Sequence, residues 1–371
     1  MANFIGFPTQ THDKARQSLV RLARWLLFST NADTVNKNSS PANPDLGGIA
    51  CKTVRLVPDQ RGLAEAGERL KEGQLVAFPT ETVYGLGADA TSPKAISALY
   101  AAKGRPQFNP LIAHVCHREQ AEREGLFNEQ ARLLAERFWP GPLTLVLPRQ
   151  PKGTVCDLAC AGLESIGLRF PSHPIAQRVL EQAGRPISAP SANRSGHISP
   201  TEAAHVLTDL DGRIDAVVEA YASPVGVEST IIACLGPEPQ LLRHGGVTLE
   251  EIFEKTGLRI AQQEHGKVIA PGMLESHYAP QARVRLNALQ IEAGEAVLLF
   301  GDFEPQGAAE AGPRLNLSPR GDLTEAAAHL YDYLRRLDRS GAKGIAIAPI
   351  PQSGLGAAIN DRLLRAAAPR P

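Results

Sequence analysis

The sequence predicts an α/β protein built from two units, a large one followed by a smaller one of Rossmann-like character. From Val57 onward, short apolar runs of strand length alternate with segments that have helical periodicity. This alternation stops between Ala261 and Pro280, where Pro271 and Gly272 also interrupt the pattern, and it then resumes. The chain has 371 residues, of which 43% are hydrophobic, enough to build two cores.

The first unit is predicted to alternate strands and helices. Strands are expected at 74–78, 111–115, 143–147, 165–170, 186–189, 216–219 and 229–234, and helices at 62–71, 129–139, 174–183 and 201–207. A further helix begins at Pro93, because Ser92 is a typical N-cap and proline fits the first turn, and it ends before Gly104. Thr248 and Glu251 form a capping box that opens the last helix of this unit.

The second unit is predicted to contain strands at 296–300 and 344–348 and helices at 324–339 and 355–367. Alternation of this kind favours a partly parallel sheet between two layers of helices. No G-x-G-x-x-G motif occurs in it, so no dinucleotide is assigned to it. The predicted domains are 56–258 and 282–371, joined by a linker at 259–281.

Residues 1–55 are predicted to be an N-terminal extension outside both domains, and the sequence pattern does not determine its purpose. Residues 15–28 have the periodicity of a basic amphipathic helix, and residues 31–48 are rich in Asn, Pro and Ser, as linkers are. Three interpretations stay open: an organelle transit peptide, an ordinary surface helix, and a start codon assigned too early. The last two are favoured.

Composition excludes several classes of protein. Lys plus Arg and Asp plus Glu each number 39, and this balance argues against a protein that mainly coats nucleic acid. The five cysteines are odd in number and lack C-x-x-C spacing, which favours reduced thiols in a cytoplasmic protein. The two tight ligand pairs of a zinc site are missing, so no metal site is expected. No apolar run approaches the roughly 18 residues that span a membrane.

The segment from Phe78 to Ala90 reads PTETVYGLGADA after its first residue. An apolar strand that runs into hydroxyls and glycines is typical of a small-molecule site at a sheet edge. A strand followed by a plain glycine turn explains the same residues. The segment therefore needs support from the rest of the chain.

Two further segments offer cations. Lys103 and Arg105 stand near Asn109 beside a helix end, a set that suits a phosphate or carboxylate, although cations there also complement the helix dipole. Period two places Ser165 and Arg169 on one face of a strand, and such an arginine needs an anion from either the protein or a ligand.

The remaining candidates are rich in hydroxyl and amide groups. The segment 188–199, SAPSANRSGHIS, has donors that suit phosphate oxygens, or it is an Asn/Ser/Gly turn. The segments 227–231 and 242–246 add Ser229 and Arg243 to a polar lining. No phosphate-binding loop, H-E-x-x-H or G-x-S-x-G motif is present.

Taken in order, these segments resemble the YrdC-domain family, and the two-unit layout resembles the long, two-domain form of the L-threonylcarbamoyl-AMP synthases. The resemblance is carried by PTETVYGLGADA, KGRP and NPLIAHV, FWPGPLTLVL, SIGLRFPSHP, PISAPSANRSG, GVESTI, LLRHG and, in the linker, PGMLESHYAP. It spans 57–280 closely and the second unit more loosely. It implies a twisted mixed α/β sheet around a concave groove, with the smaller Rossmann-like domain at its end.

The resemblance implies a nucleotidyltransferase that condenses L-threonine, bicarbonate and ATP to threonylcarbamoyl-AMP and pyrophosphate. Threonine's amine adds to bicarbonate, and the carbamate oxygen then attacks the α-phosphate of ATP. Neither step needs an enzyme nucleophile, so catalysis rests on positioning and on offsetting phosphate charge. Mg²⁺ is expected to accompany the triphosphate. The product is expected to pass to a tRNA threonylcarbamoyl transferase complex.

The resemblance also implies roles for individual residues. L-threonine is assigned to Thr82, His114, Arg169, Ala189 and Ser229. ATP is assigned to Arg105, Asn109, Ser165, Ser191, Ser199, Arg243 and Tyr278, the last as part of a linker that closes over the nucleotide. The reacting region, where bicarbonate and the phosphates meet, is assigned to Lys103, Arg105, Thr80 and Asn193.

Two other functions remain as alternatives. An RNA-binding or ribosome-associated factor would use the same groove without catalysis, but zero net charge and 5% aromatic residues disfavour stacking on bases. Weak RNA binding beside catalysis stays open. A carbamoyl-transfer module of the hydrogenase-maturation kind is normally joined to zinc-finger-like units, which the cysteine spacing does not support.

Overall fold

The computed structural model describes residues 52–262, 278–309 and 311–369. The predicted extension at 1–55, with its helix at 15–28 and its linker at 31–48, lies outside the described residues except for its last four. Most of the predicted linker at 259–281, and with it the expected closure over the nucleotide, lies outside them too. Tyr278 is described.

The first part of the described chain contains eleven strands and seven helices. The strands are β1 Val54–Leu56, β2 Val76–Pro79, β3 Tyr84–Asp89, β4 Ile112–His114, β5 Leu143–Pro148, β6 Ser165–Arg169, β7 Ile187–Ser188, β8 Ala216–Val218, β9 Thr230–Ala233, β10 Gln240–Arg243 and β11 Ala261–Gln262. The helices are α1 Gln60–Lys71, α2 Pro93–Lys103, α3 Arg118–Glu122, α4 Glu129–Phe138, α5 Pro174–Ala183, α6 Ala203–Leu210 and α7 Leu249–Thr256.

The second part contains the remaining elements described. They are β12 Arg283–Arg285, β13 Glu295–Leu299, β14 Arg314–Asn316, α8 Leu323–Asp338, β15 Gly344–Ile347 and α9 Leu355–Ala367. Its four strands run in the order β12-β15-β13-β14, and every pair is parallel. The sequence predicted only a partly parallel sheet, because the two short edge strands carry charged residues and escape a search for apolar runs.

The large sheet has the order β1-β8-β2-β3-β7-β4-β6-β5-β9-β10-β11 and mixes parallel with antiparallel pairs. Its centre brings two candidates for binding threonine together: β4 and β6 pair in parallel with His114 opposite Arg169, and β7 pairs with β4 on its other side. The predicted α/β fold with a mixed sheet and a smaller C-terminal α/β unit is therefore confirmed.

Two predicted loops are strands. Residues 84–89, expected as a glycine turn, form β3, and the chain reverses earlier, at residues 80–83. Gly87 is needed for close approach rather than for a turn, since a Cβ there would lie 2.7 Å from Cε1 of Phe78. Ala261–Gln262, expected as linker, pairs with β10 and extends the large sheet.

Helix α2 shows how local sequence positions the site. The Ser92 side chain caps its first turn, Pro93 occupies the first helical position, and Gly104 ends it in the left-handed conformation, with φ of 60°. The predicted bounds are confirmed. The helix ends at Lys103, and the side chains of Lys103 and Arg105 are both buried in the domain of the large sheet.

The cores of the two parts are joined. One apolar cluster contains Val83, Ile198 and Val227 from the first part together with Leu330 and Leu334 from α8. Val83 follows Thr82, and Val227 precedes Glu228, so the C-terminal helices pack directly behind two segments that carry site candidates. Along 52–262, 278–309 and 311–369, no helix combines the length and the apolar character needed to cross a bilayer.

Candidate active site

One small cavity collects most of the predicted site residues. Nine of the fifteen line it, and they are Thr82, Arg105, His114, Arg169, Ala189, Ser191, Ser229, Arg243 and Tyr278. The same wall contains Val83, Ile112, Pro190 and Glu228. Its free volume is about 50 Å³, several times the roughly 10–15 Å³ that one water molecule needs by the same kind of measure.

The turn between β2 and β3 presents Thr82 to the cavity. The Thr80 hydroxyl organises this turn: it donates to the carbonyl oxygen of Val83 at 2.7 Å and lies 2.8 Å from the Thr82 hydroxyl. Both threonines are buried. Thr80 thus fixes the position of Thr82 and lies outside the cavity lining.

Arg169 and His114 form one end of the cavity. Nη2 of Arg169 lies 2.9 Å from Oε1 of Glu81, and the two side chains are only 5% and 8% exposed. The atoms are close but poorly aligned for hydrogen bonding, so that Nε and Nη2 of Arg169 and both oxygens of Glu81 have no hydrogen-bond partner among the described residues. Buried donors left in this state are available to a ligand.

The protonation states at this end follow from burial and from the arginine. Burial alone raises the pKa of Glu81, but the Arg169 charge outweighs it and holds that pKa below its ordinary value. Burial, reinforced by Arg169, lowers the pKa of His114 to about 3. His114 is therefore a neutral imidazole at pH 7, and Glu81 is a carboxylate.

Arg105 and Arg243 form a second end, beside Tyr278. Arg105 donates to the carbonyl oxygen of Pro110 at 3.0 Å, and burial lowers its pKa to about 10, which leaves it charged. Arg243 donates through Nη2 to the Ser229 hydroxyl at 3.1 Å. The neighbouring Asn109 is completely buried, and its side-chain amide has no hydrogen-bond partner among the described residues. This end therefore has cationic groups for a polyanion, whereas Asn109 lies behind the cavity lining.

Lys103 has a different position from Arg105. Its ammonium donates to the carbonyl oxygens of Ser191 and Asn193, and so fastens the loop after β7 to the end of α2. Burial, and after it the Arg105 charge, lowers its pKa well below the ordinary value. Lys103 and Asn193 therefore shape the loop that presents Ser191, and neither lines the cavity.

The last two predicted residues lie apart from the cavity. Ser199 is fully buried, and its hydroxyl donates to Oε1 of Glu228 at 2.6 Å. Ser165 starts β6, whereas Arg169 ends it, so the two residues are about 13 Å apart along the strand. Their predicted contacts with ATP stay predictions.

Sequence reasoning missed two acids and one hydroxyl at the site. Glu81 and Glu228 both lie inside quoted motifs, PTETVYGLGADA and GVESTI, where each stands next to a serine or threonine. Such an acid in a segment of buried hydroxyls is a usable signal, since buried carboxylates need a partner. Thr144 was missed because it lies within the apolar strand β5; its hydroxyl is 2.7 Å from that of Ser229.

Comparison with known proteins identifies the family of this chain. A family model described as "Telomere recombination" matches residues 68–245, and one described as "Threonylcarbamoyl-AMP synthase, C-terminal domain" matches residues 247–368. The threonylcarbamoyl-AMP synthase of Bacillus subtilis is 41% identical over 334 residues, which cover 86% of this chain and 96% of that protein. The chain belongs to the threonylcarbamoyl-AMP synthase family. It is a nucleotidyltransferase, and its product's name implies L-threonine and ATP as substrates.

Two archaeal comparisons support the same family. The threonylcarbamoyl-AMP synthase of Pyrococcus abyssi is 42% identical over 320 residues, 80% of this chain and 91% of that protein. A crystal structure of P. abyssi Sua5 complexed with L-threonine matches with a TM-score of 0.76 and 36% identity, over 85% of this chain and 97% of that one. The two-part architecture is thus shared with a threonylcarbamoyl-AMP synthase of known structure.

Among the residues described, no group of three or more His, Cys, Asp and Glu side chains is placed to hold a metal ion. Four cysteines are described, Cys116, Cys156, Cys160 and Cys234, and all are free thiols.

Proposed function

We propose that the two ends of the cavity divide the substrates of threonylcarbamoyl-AMP synthesis between them. L-threonine binds at the end formed by Arg169, His114 and Thr82, and ATP binds at the end formed by Arg105, Arg243 and Tyr278. One observation carries this proposal. Arg169 has buried donors that lack a hydrogen-bond partner among the described residues, and it lines the same cavity as Arg105 and Arg243.

The threonine end suits an amino acid. A guanidinium has five N–H donors in a fork that matches a carboxylate, and Glu81 contacts Arg169 from one side only. The threonine carboxylate takes the free donors, while Thr82 and Ser229 are hydroxyls within the same wall. The neutral His114 adds a hydrogen-bonding group to this end without adding a positive charge. Arg169 therefore remains the cation that pairs with the threonine carboxylate.

The amine of threonine, in its neutral form, then adds to bicarbonate with loss of water to give the carbamate, and the carbamate oxygen attacks the α-phosphate as pyrophosphate leaves. Arg105 and Arg243 offset the charge that moves onto the phosphates. Ala189 and Ser191 supply backbone and hydroxyl groups along the path between the two ends. Both cavity acids already face arginines, so we assign Mg²⁺ to the triphosphate itself, as MgATP.

The division of substrates is tested by two variants with opposite expectations. His114→Gln should raise the KM for threonine about tenfold with little effect on that for ATP, and Arg105→Met should raise the KM for ATP by roughly ten- to a hundredfold. Both constants come from pyrophosphate release with one substrate varied. The proposal fails if the two variants exchange their sensitivities.

The product is tested directly by mass spectrometry. Incubation with ATP, threonine and ¹³C-bicarbonate should yield labelled threonylcarbamoyl-AMP, and replacement of threonine by serine should lower the yield strongly. We also propose, on the family resemblance alone, that the product passes to a tRNA threonylcarbamoyl transferase complex.

A further inference from the structure

A buried carboxylate on the cavity wall is held by the C-terminal helices. Glu228 is 6% exposed, and each of its oxygens accepts hydrogen bonds. Oε1 accepts from the Ser199 hydroxyl at 2.6 Å, and Oε2 accepts from Nε of Arg362 at 2.7 Å and from the Tyr331 hydroxyl at 2.8 Å. The acid is thus fixed from three directions.

Two of these three partners come from far along the chain. Tyr331 lies on α8 and Arg362 on α9, and both side chains have no measurable exposure. Arg362 also donates through Nη2 to the carbonyl oxygen of His244 at 2.8 Å, immediately after Arg243. One arginine of the C-terminal unit therefore ties together the segment before β9 and the end of β10.

The same two side chains support Tyr278. The rings of Tyr278 and Tyr331 stack with centroids 5.7 Å apart and an interplanar angle of 26°. The guanidinium carbon of Arg362 lies 5.3 Å from the centroid of the Tyr278 ring, a cation–π distance. Tyr278 adopts a φ of 61°, which is unusual for a residue with a side chain, so these contacts hold it in a conformation it would seldom adopt alone.

Stability is a poor explanation for this cluster. A buried ion pair often contributes no more than well-packed apolar side chains of the same volume, because both charges lose their hydration. The cluster also does not lie deep in the interface: Glu228 and Tyr278 both line the cavity. The free-energy cost of burying these charges is explained if the cluster fixes the part of the cavity wall on which substrate binds.

We propose that Arg362 and Tyr331 are positioning residues for the reaction, which hold Glu228 and Tyr278 in place at the nucleotide end. The C-terminal unit is then part of the ATP site, although neither helix reaches the cavity itself. The inference rests on the proposed assignment of ATP to the end formed by Arg105, Arg243 and Tyr278.

The network also sets which atoms Ser199 offers. Its proton is committed to Oε1 of Glu228, so any contact that it makes with ATP uses an oxygen lone pair. Such an acceptor suits a ribose hydroxyl or the adenine amino group and does not suit a phosphate oxygen. If Glu228 loses its position, this preference is lost with it.

The test uses the full chain with Tyr331→Phe, which removes one hydroxyl and keeps the stacked ring, and with Arg362→Met. The control is Arg336→Met on the exposed side of α8, where the arginine lies 3.5 Å from Asp332 and over the Tyr333 ring. Pyrophosphate release is measured first with ATP varied at saturating threonine, and then with threonine varied at saturating ATP.

We expect Tyr331→Phe to raise the KM for ATP about tenfold and Arg362→Met roughly tenfold to a hundredfold, the effect of lost hydrogen bonds to a charged group. The KM for threonine should stay within about twofold, and Arg336→Met should behave as the unaltered protein. A purely structural role would instead lower the active fraction and leave both KM values alone. That result, or unchanged kinetics, overturns the inference.

Arg362→Met leaves Glu228 buried without its cation, and this variant is at risk of failing to fold. Glu228→Gln/Arg362→Met removes both charges and keeps one acceptor oxygen for Ser199 or Tyr331, while the amide NH2 faces the other hydroxyl, which can turn to accept from it. A folded double variant with a raised KM for ATP supports positioning by Arg362, and one with an unaltered KM refutes it. If Arg105→Met leaves the KM for ATP unchanged, the assignment of the nucleotide end itself fails, so the two failures are distinguishable.

Discussion

Replacing Arg169 with methionine should separate its role in stability from its role in binding threonine. The guanidinium and the Glu81 carboxylate approach to 2.9 Å, with 5% and 8% of their side chains exposed. At an effective dielectric constant of about 20, two unit charges at that distance interact by roughly 6 kcal/mol. Removing one member of a buried pair costs about 3–5 kcal/mol, since the other charge stays behind. A domain is stable by only about 5–15 kcal/mol in total.

Arg169→Met alone should therefore lose a large share of the free energy of unfolding. Glu81→Gln/Arg169→Met removes the stranded charge and should recover most of that loss. Neither variant should show threonine-dependent pyrophosphate release, because both lack the guanidinium that we propose binds the substrate carboxylate. Urea denaturation followed by circular dichroism gives the stability, and pyrophosphate release gives the activity.

Two outcomes would refute this reasoning. If Arg169→Met is as stable as the unaltered protein, the pair with Glu81 does not compensate a buried charge. If the double variant turns over threonine at the normal rate, Arg169 does not bind the carboxylate. Glu81→Gln alone is the matched control, and it should keep part of the activity since the guanidinium remains.

The His114→Gln and Gly226→Ala variants test the remaining features. The pKa of His114 is about 3 in the folded protein and about 6.5 in an unfolded chain. Between those pH values the unfolded state therefore binds one more proton than the folded state. The free energy of unfolding falls as the pH falls through this range, by up to about 1.4 kcal/mol per pH unit. His114→Gln should make the unfolding free energy less sensitive to acidification from pH 6.5 to 4.5, and an unaltered slope in urea titrations would contradict this. Gly226→Ala should cost about 2–4 kcal/mol, because φ is +76° and the new Cβ would lie 2.1 Å from the carbonyl oxygen of Ala327 on α8. Gly196→Ala, with φ of +85° and open space, should cost only the backbone strain, and equal urea midpoints for the two variants would disprove the docking contact.

Local signals were sufficient for much of the fold. Ser92, Pro93 and Gly104 determine the bounds of α2 through capping and backbone preference, and the capping box of Thr248 and Glu251 is present at α7. β3 was missed because its glycines weaken strand propensity, and only their neighbours in the fold explain why they are needed: a Cβ at Gly85 would crowd Ala189, and one at Gly87 would crowd Phe78. Short edge strands such as β12 and β14 are determined by their partners rather than by their own residues.

Some residues of the site could likewise be predicted from local sequence, and others could not. Arg169 and His114 could be named from motifs, and strand register explains why they meet. Arg362 could not, because its partner Glu228 is 134 residues away and nothing in the sequence of α9 distinguishes it from the other arginine of that helix, Arg365. Long-range ion pairs of this kind depend on how two units dock, which local patterns do not encode.

The position of β8 has a consequence for synthesis on the ribosome. Among the described residues, β1 is the first strand of the sheet to emerge and its partner is β8, where Val54 pairs with Ala216. Because β8 lies between β1 and β2, this early strand is among the last to find its partner. At about 5–20 residues per second, the wait lasts roughly 10–30 s. During it β1 is an unpaired edge open to other chains, and its three-residue length and the charge of Arg55 limit what can pair with it.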